Sequence, residues 1–313
     1  MSELALEARA LGKRFGKVVA LDRLDLQVLP GERVAILGDA SAGKSTAVRC
    51  LAGLARPTSG GALLFGEPVT SRAGLAARRR LGVLGQYSGF YDWMTGRELL
   101  AFVADLLGLD RSRAAERIAG TLERLGLGDV ADGRIGEYEL PQRGRLGVAQ
   151  ALVGEPEIVL LDEPLGGLDA TGRMDVIGLL RDLPGETAVV VATRDLGLAE
   201  SICERAVVLD GGRRLAAEPT IAMLDRAAPR EYVLEAEPGP GLALAGLAAR
   251  LAHETWVRDV ASVDSTLRIA VEDPARAERE LLPAVVGTGI PVRTLRRERP
   301  PVGALVERLR GDR

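Results

Sequence analysis

Short uninterrupted apolar runs, each closed by glycine or a charged residue, recur through the first two thirds of the chain, at 33–38, 62–65, 81–84, 158–161, 188–191 and 206–209. Runs this short and this rich in Val, Ile and Leu predict strands buried on both faces, the condition of a parallel sheet covered by helices. Between them, apolar positions return every three or four residues over 46–54, 97–107, 112–125, 143–153 and 171–180. That period predicts helices, with Ser112 as the N-cap of the third. Alternating strand and helix give an α/β fold around a mostly parallel sheet. The stretch 97–127 holds two helices and no strand, so a helical insertion interrupts the alternation.

Beyond residue 226 the pattern changes. A strand (231–237), a helix (242–252), two strands (256–263 and 267–272), a helix (274–286), a strand (292–297) and a terminal helix (302–309) follow one another. Asp264-Ser265 supplies turn residues between the middle strands. The order βαββαβ predicts a small ferredoxin-like α+β domain. The expected division is therefore 1–225, with a helical subdomain at about 87–145, and 230–313. It suits a 313-residue chain, since domains usually run to about 100–200 residues.

Composition narrows the function classes. With 47% hydrophobic and 27% charged residues the chain is expected to fold, and a net charge of −3 counts against nucleic acid as a partner. No apolar run approaches the ~18 residues of a membrane span. Residues 1–17 mix Glu3, Glu7, Arg9 and Lys13 among their apolar positions, unlike a signal peptide. A cytoplasmic location is expected. Cys50, Cys203 and His253 are the only cysteines and histidine, too few for a disulfide framework or a zinc site.

Candidate chemistry begins after the strand at 33–37. Gly38-Asp39-Ala40-Ser41-Ala42-Gly43-Lys44-Ser45-Thr46 fits the phosphate-loop pattern G-x-x-x-x-G-K-[ST]. A glycine-closed strand-to-helix turn lets backbone N–H groups converge on an anion, and the helix N-terminus adds partial positive charge. Lys44 is one of only three lysines among 41 basic residues. It is expected to bridge the outer phosphates of ATP while the Ser45 hydroxyl ligates Mg²⁺. The run 158–161 ends in Asp162-Glu163. In one reading Asp162 holds Mg²⁺ and Glu163 polarises the attacking water; in the other Asp162 merely caps the next turn.

With these motifs in place, residues 4–225 resemble the ATP-binding subunit of an ABC transporter. The resemblance implies that Phe15 stacks on adenine, that Gln86 closes on Mg²⁺ and the γ-phosphate, and that Glu163 is the catalytic carboxylate. It also implies that Gly167-Leu168-Asp169 communicates across a nucleotide-sandwiched dimer, whether homodimer or heterodimer. Residues 230–310 resemble the appended domain of drug exporters of the daunorubicin-resistance type. Such subunits serve a separate integral-membrane permease at the inner face of the plasma membrane. Tyr87, Phe90, Tyr91 and Trp93, with Met94, crowd the segment expected to receive that partner; the alternative is that they fill the core of the helical subdomain.

Two departures stand out. The family signature Leu-Ser-Gly-Gly-Gln falls on Tyr138-Glu139-Leu140-Pro141-Gln142, of which only Gln142 survives. Pro141 has no N–H to donate, Leu140 adds a side chain, and Glu139 brings a charge that repels a phosphate charge by up to about 4 kcal/mol at ~4 Å and an effective dielectric near 20. The switch histidine falls on Arg194, which keeps its proton at working pH and is expected to grip the γ-phosphate or pair with Glu163. Ser41 replaces a glycine. ATP binding with slow hydrolysis is expected, the alternative being a nucleotide-gated scaffold that does not turn ATP over. The basic strand near Arg293 reads as a charged sheet edge or as a regulatory or dimer contact.

Overall fold

The computed structural model describes residues 4–86, 89–226, 231–237, 239, 241–297 and 301–311. In chain order the first elements are β1 (Leu6–Phe15), β2 (Val18–Val28), β3 (Arg33–Leu37), α1 (Lys44–Leu51), β4 (Ser59–Leu64), β5 (Glu67–Pro68), α2 (Arg72–Ala77) and β6 (Leu81–Leu84). The helices α3 (Gly96–Leu107), α4 (Arg111–Arg124) and α5 (Leu140–Leu152) follow. Next come β7 (Ile158–Asp162), α6 (Ala170–Arg181), β8 (Ala188–Thr193), α7 (Leu196–Ile202), β9 (Arg205–Asp210), β10 (Arg213–Pro219) and α8 (Thr220–Arg226). The remainder is β11 (Glu231–Ala236), α9 (Gly241–Ala252), β12 (Val257–Val263), β13 (Thr266–Val271), α10 (Pro274–Val286), β14 (Val292–Arg297) and α11 (Val302–Gly311). Two compact units result: Met1–Met223 together with Val306–Arg313, and Leu224–Leu305.

The first unit is built on a six-stranded sheet in the order β10-β9-β3-β8-β7-β6, parallel except at β10. Every residue of β7 and β8 is buried, as the continuous apolar runs require. A second sheet, β2-β1-β4-β5, is antiparallel. Its apolar residues, among them Leu6, Leu11, Leu24 and Leu64, share one core with Val48 and Leu51 of α1 and with Ile36 and Leu160 of the parallel sheet. The run at 62–65 belongs to this antiparallel sheet, where Ala62 and Leu64 point inward and their neighbours do not.

Three helix starts differ from expectation. Helix α1 begins at Lys44, not Thr46, because Gly43 at φ 98° makes the turn directly before it. Helix α5 begins at Leu140, not 143; Pro141 in its first turn lacks only an N–H that has no partner within the helix. The N-cap of α4 is Asp110, not Ser112. The Asp110 carboxylate accepts the N–H groups of both Ser112 and Arg113, at 3.0 and 3.2 Å, and complements the helix dipole as a hydroxyl cannot.

In the second unit the sheet order is β12-β13-β11-β14, antiparallel throughout, the ferredoxin-like arrangement. Leu234, Leu267, Ile269 and Trp256 pack against Leu247 and Leu251 of α9 and Leu281 of α10. Strand β14 lies at the edge, where Arg296 pairs with Glu235 and Arg297 with Glu278, so the free edge carries charge.

Asp110→Ala is expected to lower the thermal midpoint of the chain by several degrees in scanning calorimetry, while Ser112→Ala leaves it nearly unchanged. Equal effects would return the cap to Ser112.

Candidate nucleotide site

Four neighbouring strands, β9, β3, β8 and β7, run parallel and end on the same side of the sheet. Their C-terminal ends deliver, in that order, Asp210, the loop Gly38–Gly43, Thr193-Arg194 and Asp162-Glu163. A crevice at such strand ends is where open α/β sheets bind ligands.

The loop is held in the form its glycines permit. Gly38 and Gly43 lie at φ 152° and 98°, and a Cβ at either would stand 2.4 Å from the Leu209 carbonyl or 2.3 Å from that of Ala20. No side chain fits there. Asp39, Ala40 and Ser41 form an exposed tip, Ala42 is buried, and Lys44, Ser45 and Thr46 open α1. Lys44 is 5% exposed, and its Nζ donates to the carbonyls of Gly38 and Asp39 at 2.8 and 2.9 Å. Burial pulls the Lys44 ammonium below its ordinary value, against the opposing pull of Glu163. An arriving polyanion would add the charge this ammonium lacks.

Asp162 is 2% exposed, and its Oδ1 has no hydrogen-bond partner among the described residues. Burial raises its carboxyl above the usual range, and a hydrogen bond from Ser45 offsets part of that rise. A buried carboxylate oxygen left over beside a serine hydroxyl is the donor set expected of Mg²⁺, which takes few protein oxygens and fills the rest with water and phosphate. These residues fit the ion. Capping alone does not account for the unused oxygen.

Glu163 adopts φ 49°, a left-handed conformation unusual for a non-glycine residue. Its Oε1 lies 3.7 Å from Lys44 Nζ and 3.4 Å from Arg194 Nε, while Oε2 accepts the Thr193 hydroxyl at 3.0 Å and the Arg194 N–H at 3.3 Å. Of the two partners expected for Arg194, the structure therefore contains the pairing with Glu163. Thr193 carries no sequence signal of its own; it reaches Glu163 because it ends β8, which lies beside β7 in register Asp162 to Ala192.

Gln86, Asp162, Glu163, Phe90 and Leu140 line one cavity of about 240 Å³. The Tyr138 ring is buried with its hydroxyl on the Val130 carbonyl at 2.6 Å, whereas Leu140 is 69% exposed at the start of α5. Gln142 accepts the Glu139 N–H at 2.8 Å, so the helix start answers its own residues first. Phe15 ends β1 with its ring exposed and Lys13 Nζ 5.0 Å above it. Asp169 caps α6 through the Gly172 N–H.

Trp93 and Tyr91 are 71% and 52% exposed, and the Tyr91 ring meets Trp93 at a tilt, centroids 5.9 Å apart, and Phe102 edge-on at 6.4 Å. Phe90 is half-buried under Arg143, and Met94 is buried. Core filling thus describes Met94 but not Tyr91 or Trp93; Tyr87 lies outside the described residues. No helix among the described residues is long and apolar enough to cross a membrane, and no cluster of three metal-ligating side chains occurs among them. Burial pushes the Cys203 thiol up to about 12 and raises Cys50, which leaves both inert.

A sequence model described as ABC transporter matches residues 21–166. The daunorubicin resistance ATP-binding protein DrrA2 of Streptomyces coeruleorubidus is 32% identical across 100% of this chain and 97% of its own length. The uncharacterized ABC transporter ATP-binding protein YxlF of Bacillus subtilis is 40% identical over 66% of this chain and 68% of its own. Among solved structures, the dimeric cassette MJ0796 superposes with a TM-score of 0.64 at 25% identity, covering 69% of this chain and 98% of that one.

Asp162→Asn is expected to raise the thermal midpoint of the ligand-free chain, because the raised carboxyl pKa means that ionisation at neutral pH opposes folding. That penalty is absent below the unfolded-state value, grows as pH rises from there to the folded-state one and is constant above it, so the variant's advantage should shrink in acid. In titrations with and without Mg²⁺, the same substitution should remove the ion's contribution to ATP affinity.

Proposed function

This chain belongs to the ATP-binding proteins of ABC transporters, and from that premise we propose that it energises an exporter by binding ATP and hydrolysing it slowly. The observation that carries the reading is the convergence of Lys44, Asp162 and Glu163 at one crevice with Arg194 already on the glutamate. Lys44 and the loop amides bind the β- and γ-phosphates, and Phe15 offers its ring to the base. Asp162 and Ser45 would hold Mg²⁺, with Gln86 on the facing wall of the cavity; the ion neutralises charge that builds on the phosphates. Glu163 is placed to accept the proton of an attacking water, but Arg194 and Thr193 compete for the same carboxylate oxygens. At Tyr138–Gln142 a proline and a carboxylate stand where a partner's γ-phosphate would look for amides. Both features slow closure and turnover whether the dimer is of two like chains or unlike ones.

The cargo proposed is a hydrophobic drug-like molecule, in keeping with the names of the daunorubicin-resistance relatives. It would cross through a separate permease that holds this subunit at the inner face of the membrane. The exposed Tyr91 and Trp93, flanked by Phe90, supply the stiff aromatic area suited to that docking. The Arg194–Glu163 pair also favours a second reading, a nucleotide-gated scaffold without turnover.

Phosphate release separates the two. Lys44→Ala should abolish ATP binding. Wild type should release phosphate well below the ~10 s⁻¹ of ordinary enzymes, and Glu163→Gln should remove what remains; no change in Glu163→Gln would favour the scaffold. Arg194→His should speed release severalfold by freeing the glutamate, and a brisk wild-type rate would overturn the impairment argument. Trp93→Ala should leave the thermal midpoint and ATP binding intact while abolishing co-purification with the permease.

A further inference from the structure

The residues that close the chain have no role in the site described so far, yet those from Val306 onward belong to the same compact unit as the phosphate loop. Arg310, in the last turn of α11, meets Asp210 with a two-pronged bond, Nε to Oδ2 and Nη2 to Oδ1, each 2.7 Å. Asp210 ends β9 and opens the turn into β10. That turn presses on the phosphate loop at three places. The Gly212 N–H donates to the Ala42 carbonyl at 3.1 Å, a Cβ at Gly43 would lie 3.4 Å from Gly212 Cα, and one at Gly38 would meet the Leu209 carbonyl. On its far side the turn is held by the Asp22 N–H on the Gly212 carbonyl at 2.9 Å and by Arg213 on the Asp22 carboxylate at 2.7 Å.

We propose that Arg310 is a positioning residue for the phosphate loop: by fixing Asp210 it holds the Gly211-Gly212 turn against Ala42, and so keeps the loop amides in the arrangement that receives the nucleotide. The contacts run Arg310, Asp210, Gly212, Ala42: hydrogen bonds at either end, joined by the two residues of turn from Asp210 through Gly211 to Gly212. A second consequence follows from charge. Asp39 at the loop tip and Asp210 at the end of the neighbouring strand place two carboxylates beside a site for a polyanion, and Arg310 offsets them; its own guanidinium is stabilised first by Asp210 and to a lesser degree by Asp39. The proposal rests on the ATP-binding reading and adds that ATP affinity depends on the end of the chain.

The test is calorimetric titration of the full chain with Mg·ATP, alongside its thermal midpoint. Arg310→Ala should weaken binding about fivefold, the upper range of what a well-formed exposed pair contributes, with the midpoint little changed. Arg310→Lys, which keeps the charge but only one prong, should recover part of the loss. Asp210→Ala should also weaken binding, and the double variant should be no worse than either single one, because both remove the same strut. Unchanged affinity in Arg310→Ala would overturn the proposal. So would tighter binding in Asp210→Ala, since that result would make Arg310 a charge and not a strut. Should Arg310→Ala fold poorly, Asp210→Ala reads the same pair from the other side. A wild type that binds no Mg·ATP would instead remove the nucleotide reading on which the proposal rests.

Discussion

The structure turns on two opposite charges, Lys44 and Asp162, buried at the ends of adjacent layers of one fold. Among the described residues the ammonium leans on two carbonyls and on Glu163 at 3.7 Å, and the carboxylate keeps an oxygen unused. Taking a charge out of water is costly unless it is paired and hydrogen bonded. The parallel sheet exists to carry that cost, with β7 and β8 wholly apolar up to their last residues and all polar groups displaced to one end. Folding energy stored in the sheet is what keeps a half-satisfied site ready for ligand.

Much of this was legible in the amino-acid order because the relevant strands are buried on both faces and so leave unbroken apolar runs. Strands β1, β2, β5 and β10 leave no such run, the first two because they are half-buried and the others because they are mostly exposed. In β2, Leu21, Leu24, Leu26 and Val28 point inward between Asp22, Arg23, Asp25 and Gln27, so no run forms. Caps were legible in type but not in place. Asp110 and Ser112 both suit the start of a helix, and only the carboxylate's capacity for two N–H groups decides between them. The phosphate loop could be found because its geometry demands glycine at Gly38 and Gly43. Thr193 could not, because its role comes from lying beside β7, a relation between distant segments of chain.

The departures from the family pattern are structurally self-consistent rather than damaged. Tyr138 fills a buried position and satisfies its hydroxyl, Pro141 suits the first turn of a helix, and Gln142 secures the residue before it. Arg194 lies at the surface yet reaches Glu163 through both its side chain and its backbone. Each substituted residue is thus taken up by contacts within the chain itself. Thirty-eight of the 41 basic residues are arginine, whose guanidinium forms the two-pronged carboxylate pairs seen at Arg97 and Arg310.

The exposed ring of Phe15 has a consequence for choice of base. A stacked aromatic reads the flat face of a purine, and adenine and guanine present nearly the same face. The phosphate loop reads only the polyphosphate tail. In the base-stacking role proposed for it, Phe15 would offer a purine a surface ring with Lys13 above it, a contact that tells the two purines apart only weakly.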